Sequence, residues 1–259
     1  CDPGLTCTAD NTCTSVACSA EWRAAKGWRE CKDGCPAQLD SSFTDNLTAW
    51  FELSGLPDNT TCQHISNWDV SRVTDMGAAF KSKSDFNEDI SCWDTSKVAT
   101  FFADKYGAFE TSDFNQPIGC WDTAQVSGSG LRSMFNRASY FNRDIGAWDT
   151  AKATDMHFMF DQASAFNGDV SEWDTAKAND MGSMFDESAF NGDVSDWDTA
   201  QVADLSYMFQ GSAFNGDLSK WDTAKVTTVH RMFWRANAFN GDLSEWDTAK
   251  VNTMADMFN

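Results

Sequence analysis

The amino-acid sequence predicts an α/β fold: a right-handed, leucine-rich-repeat-like solenoid. Short parallel strands would line one side and short helices the other, with a small disulfide-rich cap at the N-terminus. Three observations predict it. Trp-Asp recurs at Trp68, Trp93, Trp121, Trp148, Trp173, Trp197, Trp221 and Trp246, at intervals of 24 to 28 residues. Phe-Asn keeps the same beat at Phe86, Phe114, Phe141, Phe166, Phe190, Phe214 and Phe239. Seven of the 9 cysteines fall at or before Cys62. Self-similarity at a fixed short period means units that bury their apolar faces only against neighbours. A Trp-Asp propeller blade needs about 40–45 residues to make four strands, so these pairs do not indicate a propeller. The chain divides into a Cys-rich region and cap, residues 1–63, and a solenoid of about eight repeats, residues 64–259.

Cys1, Cys7, Cys13, Cys18, Cys31, Cys35 and Cys62 contain no paired C-x2-C spacing. A disulfide framework in an oxidising compartment therefore outweighs a zinc site, and an odd count leaves one thiol free, paired outside this sequence or bridged to another molecule. Two N-glycosylation sequons lie in the same region, at Asn46 and Asn59. The chain opens at Cys1, which suggests that a leader has been removed or left out. Together these predict a secreted or cell-surface glycoprotein. Leu47, Trp50, Phe51 and Leu53 are spaced for an amphipathic helix that covers the first repeat.

Each repeat has two parts. Val202, Leu205, Met208 and Phe209 mark one apolar face at helical spacing, as do Val226, Val229, Met232 and Phe233. The preceding Asp-Thr supplies oxygens for a helix N-cap. The stretch Asp217-Leu218-Ser219-Lys220-Trp221 is too short for a helix and reads as a brief strand. Strands stacked in parallel lie about 4.8 Å apart. Asn87, Asn115, Asn142, Asn167, Asn191, Asn215 and Asn240 would then stack as an internal ladder. Before the Trp, two neighbouring repeats carry Cys92 and Cys120. Stacked strands place such Cα atoms about 5 Å apart, within disulfide reach, so these two are expected to form a rung.

Composition fits this reading. Leu, Ile, Val and Phe make up only 17% of the 259 residues, and the net charge is −20. That profile flags disorder, but 12 Trp and 10 Met replace the aliphatic core. The acidity disfavours nucleic acid. No apolar run approaches the roughly 18 residues of a membrane span. Asp follows every repeat Trp, and Asp89, Asp144, Asp169, Asp193, Asp217 and Asp242 form a second column. Capping, plus pairing with the nearby column that includes Arg72, Lys97, Lys152, Lys177, Lys225 and Lys250, is the structural expectation. Calcium between the columns is the functional alternative. A Thr column, Thr95, Thr123, Thr150, Thr175, Thr199, Thr223 and Thr248, is read as capping, with ice binding as a minor alternative.

The unit Ser66-Asn67-Trp68-Asp69-Val70-Ser71-Arg72-Val73-Thr74-Asp75-Met76 resembles the repeat of the BspA-like leucine-rich-repeat surface proteins, FNxDISxWDTSxVTDMSxMF. The likeness covers residues 64–259 and is interrupted between Val98 and Phe114 and between Val126 and Phe135. It implies a secreted or surface-anchored protein tied to adhesion and interaction, with no common catalytic activity and no catalytic residues to carry over.

The residues themselves add no catalytic motif. His64, His157 and His230 look isolated, and no metal ligand set, nucleophile elbow or phosphate loop is evident. The expectation is a non-enzymatic protein without a cofactor. It would have a structural or interaction role, as a head-to-tail fibre subunit partnered by itself or as a monomeric adhesin that binds proteins or glycans. The helix at Met254-Ala255-Asp256-Met257-Phe258-Asn259 is an ordinary repeat with nothing polar to close it, so either the natural chain continues beyond Asn259 or another molecule covers the end, as head-to-tail contact would.

Overall fold

A computed structural model describes Phe43, Leu47 and residues 65–258. The cysteines up to Cys62, both sequons, His64, Trp50, Phe51 and Leu53 lie outside the described residues. Phe43 and Leu47 are helical and buried, and they belong to one continuous core with the repeats. The Phe43 ring meets Trp93 edge-on at 6.0 Å.

The repeats are coils laid one on the next, and the coils are made of turns. Where the sequence predicts a helix in each unit, the described residues hold a parallel bridge followed by a run of turns. The bridges link Asp155 to Asp180, Asp180 to Asp204, Asp204 to Thr228 and Thr228 to Thr253. The expected strand segment is also a turn: Trp221 N–H donates to Leu218 C=O at 3.2 Å. Besides the helical Phe43 and Leu47, the regular elements among the described residues are one 3-10 turn, Ile65–Asn67, and the antiparallel hairpin β1 (Phe102–Ala103) and β2 (Tyr106–Gly107). The hairpin is the insertion that interrupts the sequence pattern after Val98. No helix among the described residues is long and apolar enough to cross a membrane.

The backbone hydrogen bonds explain the missing helix. Met156, Phe158, Phe160 and Gln162 each donate N–H to the following coil, at Asp180, Gly182, Met184 and Asp186 C=O. The residues between them close turns inside their own coil, as Met159 does to Met156 and Asp161 to Phe158. An α-helix would send all these amides to residue i−4. Here half of them tie coil to coil. The turns place Phe158 and Gln162 at φ 61° and 55°, and the equivalent residues of later coils follow. Non-glycine residues in this left-handed region cost about 1–2 kcal/mol each, which the inter-coil bonding must offset. Gly211 occupies one such position with φ 61°.

Aromatic columns form the core. Phe80, Phe109, Phe135, Phe160, Phe185, Phe209, Phe233 and Phe258 stack with ring centroids 5.0–5.9 Å apart from coil to coil. Each of several also stacks on the Phe-Asn ring of its own coil, as Phe160 does on Phe166 at 3.8 Å. The Trp column runs beside them, with Trp148, Trp173 and Trp197 spaced at 6.5 Å. Offset-stacked rings add about 0.5–1.5 kcal/mol per pair beyond their buried area. The indole N–H cannot remain unpaired in such a core. Trp173 donates to Ile145 C=O at 3.2 Å and Trp197 to Val170 C=O at 3.0 Å, each in the preceding coil.

The Thr column faces inward. Thr175 Oγ1 donates to Asp198 C=O of the next coil at 3.0 Å, and Thr95, Thr123, Thr150, Thr199 and Thr223 repeat the bond. These six hydroxyls tie coils together and offer no Thr face to solvent, which corrects the ice-binding alternative. Thr175→Val keeps the shape and deletes the donor. It should lower stability by about 1 kcal/mol. Urea denaturation should show the midpoint falling with the slope unchanged; an unmoved midpoint would remove the column from the stabilising interactions.

Candidate functional site

Most of the recurring polar side chains are engaged in the backbone of the coils. Each Asp after Trp accepts an N–H two residues on, as Asp174 Oδ1 does from Ala176 at 3.0 Å. The second Asp column does the same, with Asp169 bound to Ser171 N–H and Asp217 to Ser219 N–H. These are Asx turns, so the Asp residues cap turns rather than helices. Hydrogen bonds from the Ser219 backbone and then its side chain hold the Asp217 carboxyl below the usual range. The basic column reaches other groups: Lys152 Nζ donates to Ala124 C=O at 2.7 Å, and Lys225 bonds the Gln201 amide oxygen.

The Asn residues form a ladder on the outer surface rather than inside. Asn142 N–H donates to Asn115 Oδ1 at 3.0 Å, and the same bond joins Asn87 to Asn115, Asn142 to Asn167, Asn167 to Asn191, Asn191 to Asn215 and Asn215 to Asn240. Each Asn follows an inward-pointing Phe, so alternation along the chain turns its side chain outward. Cys92 and Cys120 are both disulfide-bonded.

Two sets of positions vary from coil to coil: the one before Trp (Cys92, Cys120, Ala147, Glu172, Asp196, Lys220 and Glu245), and those along the bridge and the turns after it. There the chain brings together groups the sequence shows as scattered. Arg132 pairs with Asp155 Oδ2 at 2.8 Å and lies 4.0 Å from Asp180 Oδ2. His157 Nδ1 lies 2.8 Å from Asp180 Oδ1. Asp180 Oδ1 also accepts Gly182 N–H at 3.0 Å. Burial works to raise the Asp180 carboxyl, but the hydrogen bonds from His157 and Gly182 and the charges of His157 and Arg132 outweigh it, leaving it below the usual value. Asp204 Oδ1 accepts both the N–H and the hydroxyl of Ser206. One ligand atom from each of His157, Asp180 and Asp204 lies within 4.8 Å of the others.

In the sequence His157 looks isolated because its neighbours in the group lie in the next two coils. The available signal was the column itself: Asp155, Asp180 and Asp204 share one position in three successive coils, and His157 stands two residues after the first. His230 is not part of the group. Its ring meets Tyr207 edge-on at 5.0 Å, and its Nδ1 has no hydrogen-bond partner.

A second acidic pair lies where the turns end. Asp161 is buried, accepts weak hydrogen bonds from Asn136 and Gln162 and is raised to about 6 by burial. Asp186 accepts Gln210 Nε2 at 2.9 and 3.2 Å and is raised to about 7 by burial and then by the Asp161 charge.

No curated protein and no solved structure matches the chain. Three overlapping stretches, residues 46–128, 104–189 and 169–259, match one family described as "Mycoplasma protein of unknown function, DUF285". Coils built from the same turns and the same stacked columns recur through all three stretches, and the chain is a tandem-repeat protein that belongs to the DUF285 family.

Proposed function

We propose that the protein is an extracellular or cell-surface repeat scaffold of the BspA-like kind, non-enzymatic, whose coils form a solenoid that displays an interaction surface. The observation that carries this reading is the division of labour among the side chains. The constant Trp, Thr, Asn and Asp groups bond coil to coil or cap turns. One set of variable groups, among them Arg132, His157, Asp180, Tyr207 and Trp234, lies along the bridge and the turns after it, where a partner protein or glycan would be recognised. A constant framework with variable display is how repeat binders are built.

In a second reading, copies of the chain assemble head to tail. In the last described coil Met254 and Phe258 are 46% and 57% exposed. They border an apolar hollow lined by Val226, Val229, Trp246 and Val251. A second copy seated there would make a heterologous, open-ended contact. Size-exclusion chromatography with light scattering separates the two readings. Concentration-dependent oligomers that Met254→Asp abolishes support assembly. A monomer at all concentrations, with and without reductant, leaves the monomeric scaffold.

A further inference from the structure

We propose that His157, Asp180 and Asp204 form a site for a first-row divalent transition-metal cation of the zinc type. This stands independently of the scaffold reading. The three residues come from three successive coils whose backbones are fixed by the parallel bridges through Asp155, Asp180 and Asp204. Their ligand atoms already converge to within 4.8 Å. Metal–ligand bonds of about 2.0–2.2 Å need the donors roughly 3.3 Å apart. Binding would require side-chain rotations that bring the three donors to that spacing and replace the His157–Asp180 hydrogen bond.

The local sequence makes room for the group. His157 sits over Gly182, the residue at its own position in the next coil. A Cβ on Gly182 would lie 2.9 Å from both Cε1 and Nδ1 of the imidazole, so a side chain there would displace the ring. Both carboxylates are held from behind: Asp180 Oδ1 by Gly182 N–H, Asp204 Oδ1 by Ser206. Outer hydrogen bonds of this kind fix ligand orientation; the second oxygen of Asp204 remains for a cation, and that of Asp180 faces Arg132 at 4.0 Å.

Charge points the same way. Arg132 is engaged with Asp155, the column member outside the triad, at 2.8 Å, and only approaches Asp180 at 4.0 Å. With the imidazole deprotonated, as ligation requires, the three ligands carry two negative charges, set against the single positive charge of Arg132 at 4.0 Å from Asp180. One nitrogen and two oxygens suit zinc, cobalt or manganese, whereas calcium takes oxygen ligands alone. Three protein ligands leave a fourth position for water or for a group on another molecule.

The test uses the whole chain after exhaustive chelation. Zinc alone, titrated by calorimetry, should bind at one equivalent and raise the melting temperature, and calcium at the same concentration should do neither. Cobalt should give the visible bands of a nitrogen- and oxygen-ligated ion. His157→Ala and Asp204→Asn should each weaken zinc binding at least tenfold, with circular dichroism reporting whether the fold survives. Asp204→His replaces one ligand by another and should retain binding. That outcome is not expected if Asp204 serves only to cap Ser206, and it carries the test if His157→Ala does not fold. Absence of zinc binding by the folded protein, equal binding of calcium, or affinity unchanged in both disruptive variants would overturn the proposal.

Discussion

Phe185→Ala should destabilise the protein by about 3–5 kcal/mol, the range for truncating a fully buried aromatic. Phe185 is fully buried and meets rings on every side: Phe190 in its own coil at 3.9 Å, Phe160 and Phe209 in the neighbouring coils at 5.7 and 5.9 Å, and Trp197 at 6.3 Å. The columns on either side cannot close the gap, because each ring is held in register by the inter-coil backbone bonds of Phe160 and Phe185. The effect should also change the shape of unfolding. Coils bond to adjacent coils, so a weak interface in the middle lets the two halves melt separately. Guanidinium denaturation followed by tryptophan fluorescence should show a lower first midpoint and a broadened or split transition. Phe258→Ala is the matched control: its ring is already 57% exposed, and the loss should be about 1 kcal/mol or less. Equal losses at both positions would contradict a core whose strength depends on stacking from both sides.

Asp186→Asn should stabilise the protein at pH 8 and leave it nearly unchanged at pH 4. Asp186 is raised to about 7 and Asp161 to about 6, from an ordinary value of 3.8. Between pH 4 and 7 the folded chain therefore holds more protons than the unfolded chain. The favourable contribution is fully present below pH 4 and is lost as the pH rises through 7. At pH 8 burial of the charge opposes folding, and removing it should return about 2 kcal/mol after allowance for solvent screening of a partly exposed group. The hydrogen bonds favour the amide as well. Gln210 Nε2 donates to Asp186 while Gln210 Oε1 is buried without a partner. A protonated Asp186, or the amide that replaces its carboxyl in Asp186→Asn, can supply the missing donor. Thermal melts of wild type and variant from pH 4 to 8 should diverge with rising pH; parallel curves would mean that Asp186 is ionised without penalty.

The sequence and the structure agree on which residues form columns, because the 24–28-residue beat names them directly. Local conformation was less legible. The spacing of Val202, Leu205, Met208 and Phe209 fits a helix face, and all four are buried. A run of turns with left-handed residues every four positions buries the same set, and periodicity cannot tell the two apart. The deciding information lies in where the amides go, which depends on the neighbouring coil. The outward Asn ladder follows from the same cause. The His157 group was hidden for a different reason: its members are 23 and 24 residues apart, and only the coil-to-coil register brings them together.

The Trp column also has an optical consequence. Indoles 6.5 Å apart with planes within 3° of parallel, as in Trp148, Trp173 and Trp197, lie far inside the range for resonance transfer between like chromophores. Light absorbed at one coil will migrate along the stack before it is emitted, and the near-parallel planes carry much of its polarisation with it. The emission spectrum of the folded chain thus reports the lowest-energy indole in the stack, and a quencher brought near one end will dim coils that it never touches.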